Sequence, residues 1–429
     1  MGVVSELCSG VKLPKMVKIK QNFNRDCIPK EQIPQVVFEQ LSREEIKSQI
    51  KQGMSVAITC GSRGVANINI IIKAIVDFVK SCGGNPFVFP AMGSHGGATA
   101  EGQREMIEGY GVTEDFIGCP IKSSMETKRI GTTEEGHPVL IDKNAAEADA
   151  IIVCGRIKAH TAFNGPVESG LMKMMTIGMG KQQGAEVCHE SGFKHMARLV
   201  QVFGNAIRKN SNVICGLGLI ENAFDDTYKI VGLTNEEIPE KEPALLLEAK
   251  SLMGKLLFDT ADVVVVDRIG KNVSGDGMDP NVTGTFGTPY AKGGIDAKRV
   301  VVLDLTEETH GNANGVGMAD VTTKRLVDKA NWEITYPNAI TSTVISMVKI
   351  PAFMKNDKEA IQLGLRICNE TDKESPRIIR IKDTMHLEYV YISEAMLEEA
   401  KQNPNIEILG EPQEWPFDED GNLETQGTF

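Results

Sequence analysis

No two of the nine cysteines are spaced as a CxxC pair; they stand at positions 8, 27, 60, 82, 119, 154, 188, 215 and 368, scattered and odd in number. That distribution argues against a disulfide framework and for free thiols in a reducing, cytoplasmic setting. A long lysine and arginine run is also missing. With 46 basic against 58 acidic residues the formal charge is -12, so the chain lacks the basic surface that polyphosphates reward, and nucleic acid is not an expected partner. A small anion in a local basic pocket stays open. The longest apolar stretch, "INIIIKAIVDFV", is broken by Lys73 and Asp77. It is too short for a bilayer and reads as a buried or amphipathic helix, so no membrane is expected. The start "MGVVSEL" places Glu6 where a myristoylation signal needs Ser or Thr, and no signal-peptide apolar region follows.

What is present is 41% hydrophobic and 24% charged residue content over 429 residues, enough for a sizeable core divided between large domains. Short apolar runs alternate with helical patterns. "MSVAITC" runs into "GSRG", a helix follows over 67–82, and "NPFVFP" runs into "AMGSHGG", after which Thr99 is placed to cap "AEGQREMIEGYG". "ADAIIVCG" repeats the arrangement. Such alternation predicts a parallel α/β sheet, in which loops at the carboxyl ends of the strands carry function. A polar, proline-bearing bridge, "LTNEEIPEKEPA", precedes a second series of strand-like runs, with "MADVTTKRLVDKA" and "KNDKEAIQLGLRIC" as helices. The expected fold is therefore α/β, with two α/β domains and a cleft between them. Residues 1–245 form the first, 246–400 the second, and 401–429 an acidic surface tail. The long glycine-rich loop over 270–287 is more often functional than idle.

Arg63, His95 and His160 each fall on a loop after an apolar strand, and His189 follows in "EVCHESG". Each alone reads as an ordinary loop residue. Together they suggest convergence, if their strands are neighbours. The glycine turns "GSRG" and "GSHGG" offer backbone N–H groups to an anion. They match neither GxGxxG nor GxxxxGK[ST], and "GMGKQ" is only a fragment of a phosphate loop. The methionines at 172, 174, 175 and 179 read most simply as core packing. Two function classes fit these residues without further information. One is a zinc-dependent hydrolase with His95, His160 and His189 as ligands. The other is a non-catalytic small-anion-binding protein built on the glycine turns and Arg63.

The order of an arginine after the first strand, "GSH" after the second, a histidine after the third, then "SGLMK" and a later histidine resembles the nickel-dependent lactate racemase family. The resemblance implies an isomerase, a racemase or epimerase of a small 2-hydroxy acid. Its implied cofactor is the nickel-pincer nucleotide, pyridinium-3,5-bisthiocarboxylic acid mononucleotide nickel, supplied by cofactor-biosynthesis proteins. It implies His95 and His160 as the two bases, Arg63 as the carboxylate clamp, Lys173 as the cofactor tether and His189 as the nickel ligand. Lys271 is a further cofactor-binding candidate. This chain has Cys60 where lactate-specific members carry an acidic residue, and the family's Tyr-Gln-x-x-Lys cluster is not found after Val266. Its loop there carries Arg268, Lys271, Asn272, Asp276 and Asp279 instead, the two aspartates being candidates for hydrogen bonds from a sugar acid.

Overall fold

In the computed structural model, which describes residues 2–62 and 64–424 apart from the side chain of Thr341, the chain divides into two compact units. One comprises residues 24–253, the other residues 1–23 with 254–429. The division departs from the expected boundaries at both ends of the chain. Strand β1 (Met16–Gln21) pairs with a strand nearly four hundred residues away and so belongs to the C-terminal unit, not to the first domain.

The unit of residues 24–253 is built on β2 (Ser55–Cys60), β3 (Asn85–Pro90), a separate hairpin of β4 (Thr127–Thr132) and β5 (Pro138–Asp142), then β6 (Ala150–Arg156), β7 (Val213–Glu221) and β8 (Thr227–Thr234). Five of these form one sheet in the order β3-β2-β6-β7-β8, parallel except for β8. Both faces are covered, which is why the strands read as unbroken apolar runs rather than as alternating ones. Val56, Ile58 and Cys60 face the helix Ile68–Ser81. Ala57, Ile151 and Val153 point the other way, onto Met172, Met175, Met179 and the helix Met196–Asn210. Those three methionines are fully buried core residues, as the sequence suggests.

The bridge over 233–244 is not a linker. Leu233 and Thr234 finish β8, and a helix runs Glu237–Leu252 with Pro243 inside it. A proline within a helix removes a hydrogen bond and ordinarily marks a break, which hides the first turns of this helix in the sequence, where a helix is expected only from the end of the bridge to about Leu257. The boundary consequently falls at Met253 and Gly254 rather than at 245.

The other unit holds an eight-stranded sheet. After β1 it uses β9 (Thr260–Ile269), β10 (Asp296–Leu305), β11 (Val321–Thr323), β12 (Ala352–Met354), β13 (Ile378–Ile381), β14 (Tyr389–Ser393) and β15 (Ile406–Ile408), in the order β12-β11-β10-β9-β13-β14-β1-β15. Val321–Thr323 is thus a strand, and only Lys324–Lys329 of the predicted helix is helical. The "tail" is also structural. Ile408 pairs with Ile19, Met16 bridges Gln413, and the indole N–H of Trp415, 8% exposed, donates to Pro14 O at 2.9 Å. Among the described residues no helix is long and apolar enough to cross a membrane.

Candidate active site

Strands β3, β2 and β6 are adjacent and parallel, so the loops bearing His95, Arg63 and His160 leave the same edge of one sheet. Strand spacing puts the outer two ends about 10 Å apart. Arg63 itself lies outside the described residues. The segment around it is held on both sides: the Tyr110 hydroxyl donates to Ser62 O at 2.9 Å, and Ala66 N–H donates to Glu221 Oε1 at 2.7 Å.

His160 sits on a loop folded by a buried carboxylate. Glu168 accepts from the backbone N–H of His160 at 2.8 Å and of Gly165 at 3.0 Å, and the Lys250 ammonium lies 2.7 Å from it. Lys158 and Ser169 exchange backbone hydrogen bonds at 2.9 and 3.2 Å, closing the loop so that residue 160 returns to the segment "SGLMK". The result is direct contact: His160 Nε2 lies 2.8 Å from Lys173 Nζ. The other ring nitrogen, Nδ1, accepts from Ala162 N–H at 3.0 Å. Nε2 is therefore the ring atom that carries the proton when the imidazole is neutral, and it is the one that faces Lys173.

Lys173 ends a helical turn, Leu171–Lys173, which passes into a π-helical segment, Met174–Met179, and then the helix Lys181–His189. π-Helical insertions recur at functional sites because they re-aim the residues on either side. The turn is anchored by Glu242, wholly buried, whose Oε2 accepts from Met172 N–H at 3.0 Å. Burial pushes the Glu242 carboxyl up to about 7. A Cβ on Gly170 would stand 1.9 Å from Glu242 Oε1, so only glycine lets this carboxylate reach the turn.

His189 closes the helix, half-buried and stacked on Phe193 with ring centroids 5.8 Å apart. Burial, and then the nearby charge of Lys173, lower its imidazole to about 4. It is neutral at physiological pH, the form that binds a metal. The adjacent Cys188 thiol is pushed up to about 12 by burial, and Cys60 likewise to about 12, so neither offers a thiolate or a negative charge here.

His95 is half-buried at the head of the turn Gly96–Ala98. Gly96 has φ 64°, and a Cβ there would meet Gly102 at 2.5 Å, which explains the glycine after the histidine. Thr99 caps the following helix as expected, accepting from Gly102 N–H at 3.1 Å.

Residues 11–199 match the family model of the lactate racemase N-terminal domain. By that match the larger part of the unit of residues 24–253, but less than half of the chain, is similar to the lactate racemase N-terminal domain. Two solved structures resemble it. One is a Thermotoga maritima protein, 12% identical, with TM-score 0.49, covering 82% of this chain and 95% of its own. The other is the lactate racemase apoprotein of Thermoanaerobacterium thermosaccharolyticum, 13% identical, with TM-score 0.48, covering 91% of this chain and 97% of its own. No curated protein matches the chain.

The unit of residues 24–253 thus brings His160 and Lys173 into contact, sets His189 within reach of the Lys173 charge, and places His95 and the Arg63 loop on the same sheet edge. Lys271 belongs to the other unit, where its Nζ donates to Gly275 O at 2.6 Å. Asp279 is a helix cap there, its Oδ1 accepting from Asn281 N–H at 2.9 Å, and Asp276 Oδ1 lies 3.5 Å from Asn314 Nδ2. Those bonds give the two aspartates a structural use in place of the sugar-acid contact. Among the described residues no three His, Cys, Asp or Glu side chains group as a metal site. Glu168, Glu242, Gln103 and Lys181 go unnoticed in the sequence, because charged and amide side chains ordinarily signal surface.

Proposed function

We propose that this protein inverts C2 of a small 2-hydroxy acid by hydride removal and return, using a nickel-pincer nucleotide, in the cytoplasm. The observation that carries the reading is a cluster within the residues that match the racemase family model: Lys173 lies 2.8 Å from His160, and its charge reaches the half-buried imidazole of His189. The neutral His189 imidazole would be the protein's donor to the nickel of this cofactor, a metal that imidazole nitrogen suits. Lys173 is the nearby amine suited to hold the cofactor's carboxyl-derived or phosphate group. The cofactor would come from dedicated biosynthesis proteins and, when bound, supplies the acceptor for the C2 hydride.

The protein's own residues do the rest. Arg63 pairs with the substrate carboxylate through two parallel hydrogen bonds and fixes C2. As the C2 hydride leaves, the hydroxyl proton must leave too, giving a flat 2-keto acid. Because C2–H points the same way in both enantiomers, their hydroxyls point to opposite sides, and one base cannot serve both. His160 serves one side and His95 the other, each contributing roughly 10²–10⁴-fold. Return of hydride and proton with the opposite hand completes inversion with no net oxidation.

The test loads the protein with the nickel-pincer nucleotide and follows optical rotation with enantiopure lactate, malate, other aliphatic hydroxy acids and aldonates. Inversion of at least one acid is expected. Single-turnover formation of bound keto acid from each enantiomer should fall unequally in His95→Ala and His160→Ala, each variant failing mainly with its own enantiomer. Fully nickel-loaded protein that inverts none of these acids would contradict the proposal.

A further inference from the structure

We infer that Gln103 and Lys181 are positioning residues for His95. The helix that ends in His189 begins by gripping, through one buried lysine and one buried glutamine, the loop that carries the other end of the site. The inference rests on the racemase reading above and extends it to residues that touch neither substrate nor cofactor.

Lys181 is a costly residue to keep. It is wholly buried, and its backbone has φ 54°, the left-handed region that L-residues other than asparagine and aspartate avoid. Its side chain extends back under the end of β3. Nζ donates to Pro90 O at 2.9 Å and to Gln103 Oε1, and Asp142 Oδ2 lies 3.9 Å away. A methionine would fill this space without a buried charge. The ammonium is therefore retained for what it bonds, since burying a charge is tolerated only with partners that use it.

Those partners lead to His95. Because Gln103 Oε1 accepts from Lys181, the amide nitrogen must face the other way. Nε2 donates among three loop carbonyls, Met92 O at 3.1 Å, Gly93 O at 2.8 Å and His95 O at 3.2 Å. Gln103 is itself wholly buried. Pro90 and His95, the two ends of the loop, are thus tied through two side chains to the first residue of the helix Lys181–His189. A helix is rigid over nine residues, so the base on one strand end and the nickel ligand at the helix end share one frame. Misplacing a base by about 1 Å can cost roughly 10²-fold, which is the scale on which such a frame acts.

The experiment uses full-length Gln103→Met and Lys181→Met, loaded with the nickel-pincer nucleotide. Nickel content should match wild type. Single-turnover keto-acid formation should fall about 10-fold or more with the enantiomer that His95→Ala impairs, and by less than about twofold with the other, with substrate affinity little changed. A loss that is merely structural lowers both alike. A readout without turnover separates this inference from the racemase reading: in ¹⁵N-edited NMR of the cofactor-free protein, the His95 ring signal should broaden or split in both variants while that of His189 stays in place. An unchanged His95 signal, equal loss with both enantiomers, or unfolding of both variants by circular dichroism would overturn the positioning role. If wild type inverts nothing while the His95 signal responds as described, the racemase reading fails and the strut stands.

Discussion

His189 is the residue whose chemistry is most altered by its surroundings. An exposed imidazole titrates near ~6.5, whereas burial and the charge of Lys173 bring this one down to about 4. Between those two values the unfolded chain binds the proton that the folded chain refuses, so the stability His189 permits is complete above the unfolded value and is lost as pH falls from there. Replacing His189 by Ala should make stability less sensitive to acid, by on the order of 1–2 kcal/mol between pH 7 and pH 4.5 after discounting for solvent screening. Urea unfolding of wild type and variant at the two pH values measures this. Equal acid sensitivity would mean that the imidazole protonates freely and is poorly suited to hold nickel under mildly acidic conditions. The four residues found only in the structure share one physical feature. Glu168, Glu242, Gln103 and Lys181 are all wholly buried and polar. Nothing in the spacing of "GMGKQ" separates a lysine folded beneath a strand end from one in solvent, whereas histidines after strands stand out because the strands do.

At the scale of elements, legibility followed locality. The strands β2, β3 and β6 and the helix Ile68–Ser81 are apolar runs with glycine, asparagine or cysteine at their ends, so each carries its own start and stop. Their order in the sheet, which makes three loops converge, is not written in any one segment. Membership of β1 and β15 in the C-terminal unit was hidden for the same reason. The pairings Lys18↔Tyr391 and Ile19↔Ile408 join residues whose separation in sequence no periodicity reports. The last strand is consequently not dispensable. Ending the chain after residue 404 would strip β1 of its edge partner and remove Trp415 from its contact with Pro14. Such a truncation should lower the urea midpoint of the C-terminal unit by the equivalent of about 2–4 kcal/mol, the cost of deleting a large buried aromatic with several apolar neighbours. An unchanged midpoint would show that β15 adds nothing to the sheet.

For the whole molecule, the central claim is a reaction in which hydrogen leaves C2 as hydride and comes back without meeting water, while protons move only through His95 and His160. A carbon-acid racemase does the opposite, releasing C2–H as a proton that exchanges with solvent. The two routes differ in the fate of one atom. The measurement is inversion of C2-deuterated substrate by nickel-pincer-loaded enzyme in ordinary water, with deuterium at C2 of the inverted product read by mass spectrometry. The account predicts that the deuterium is retained and that turnover is slowed relative to the protiated acid; inverted product carrying solvent hydrogen at C2 would contradict it.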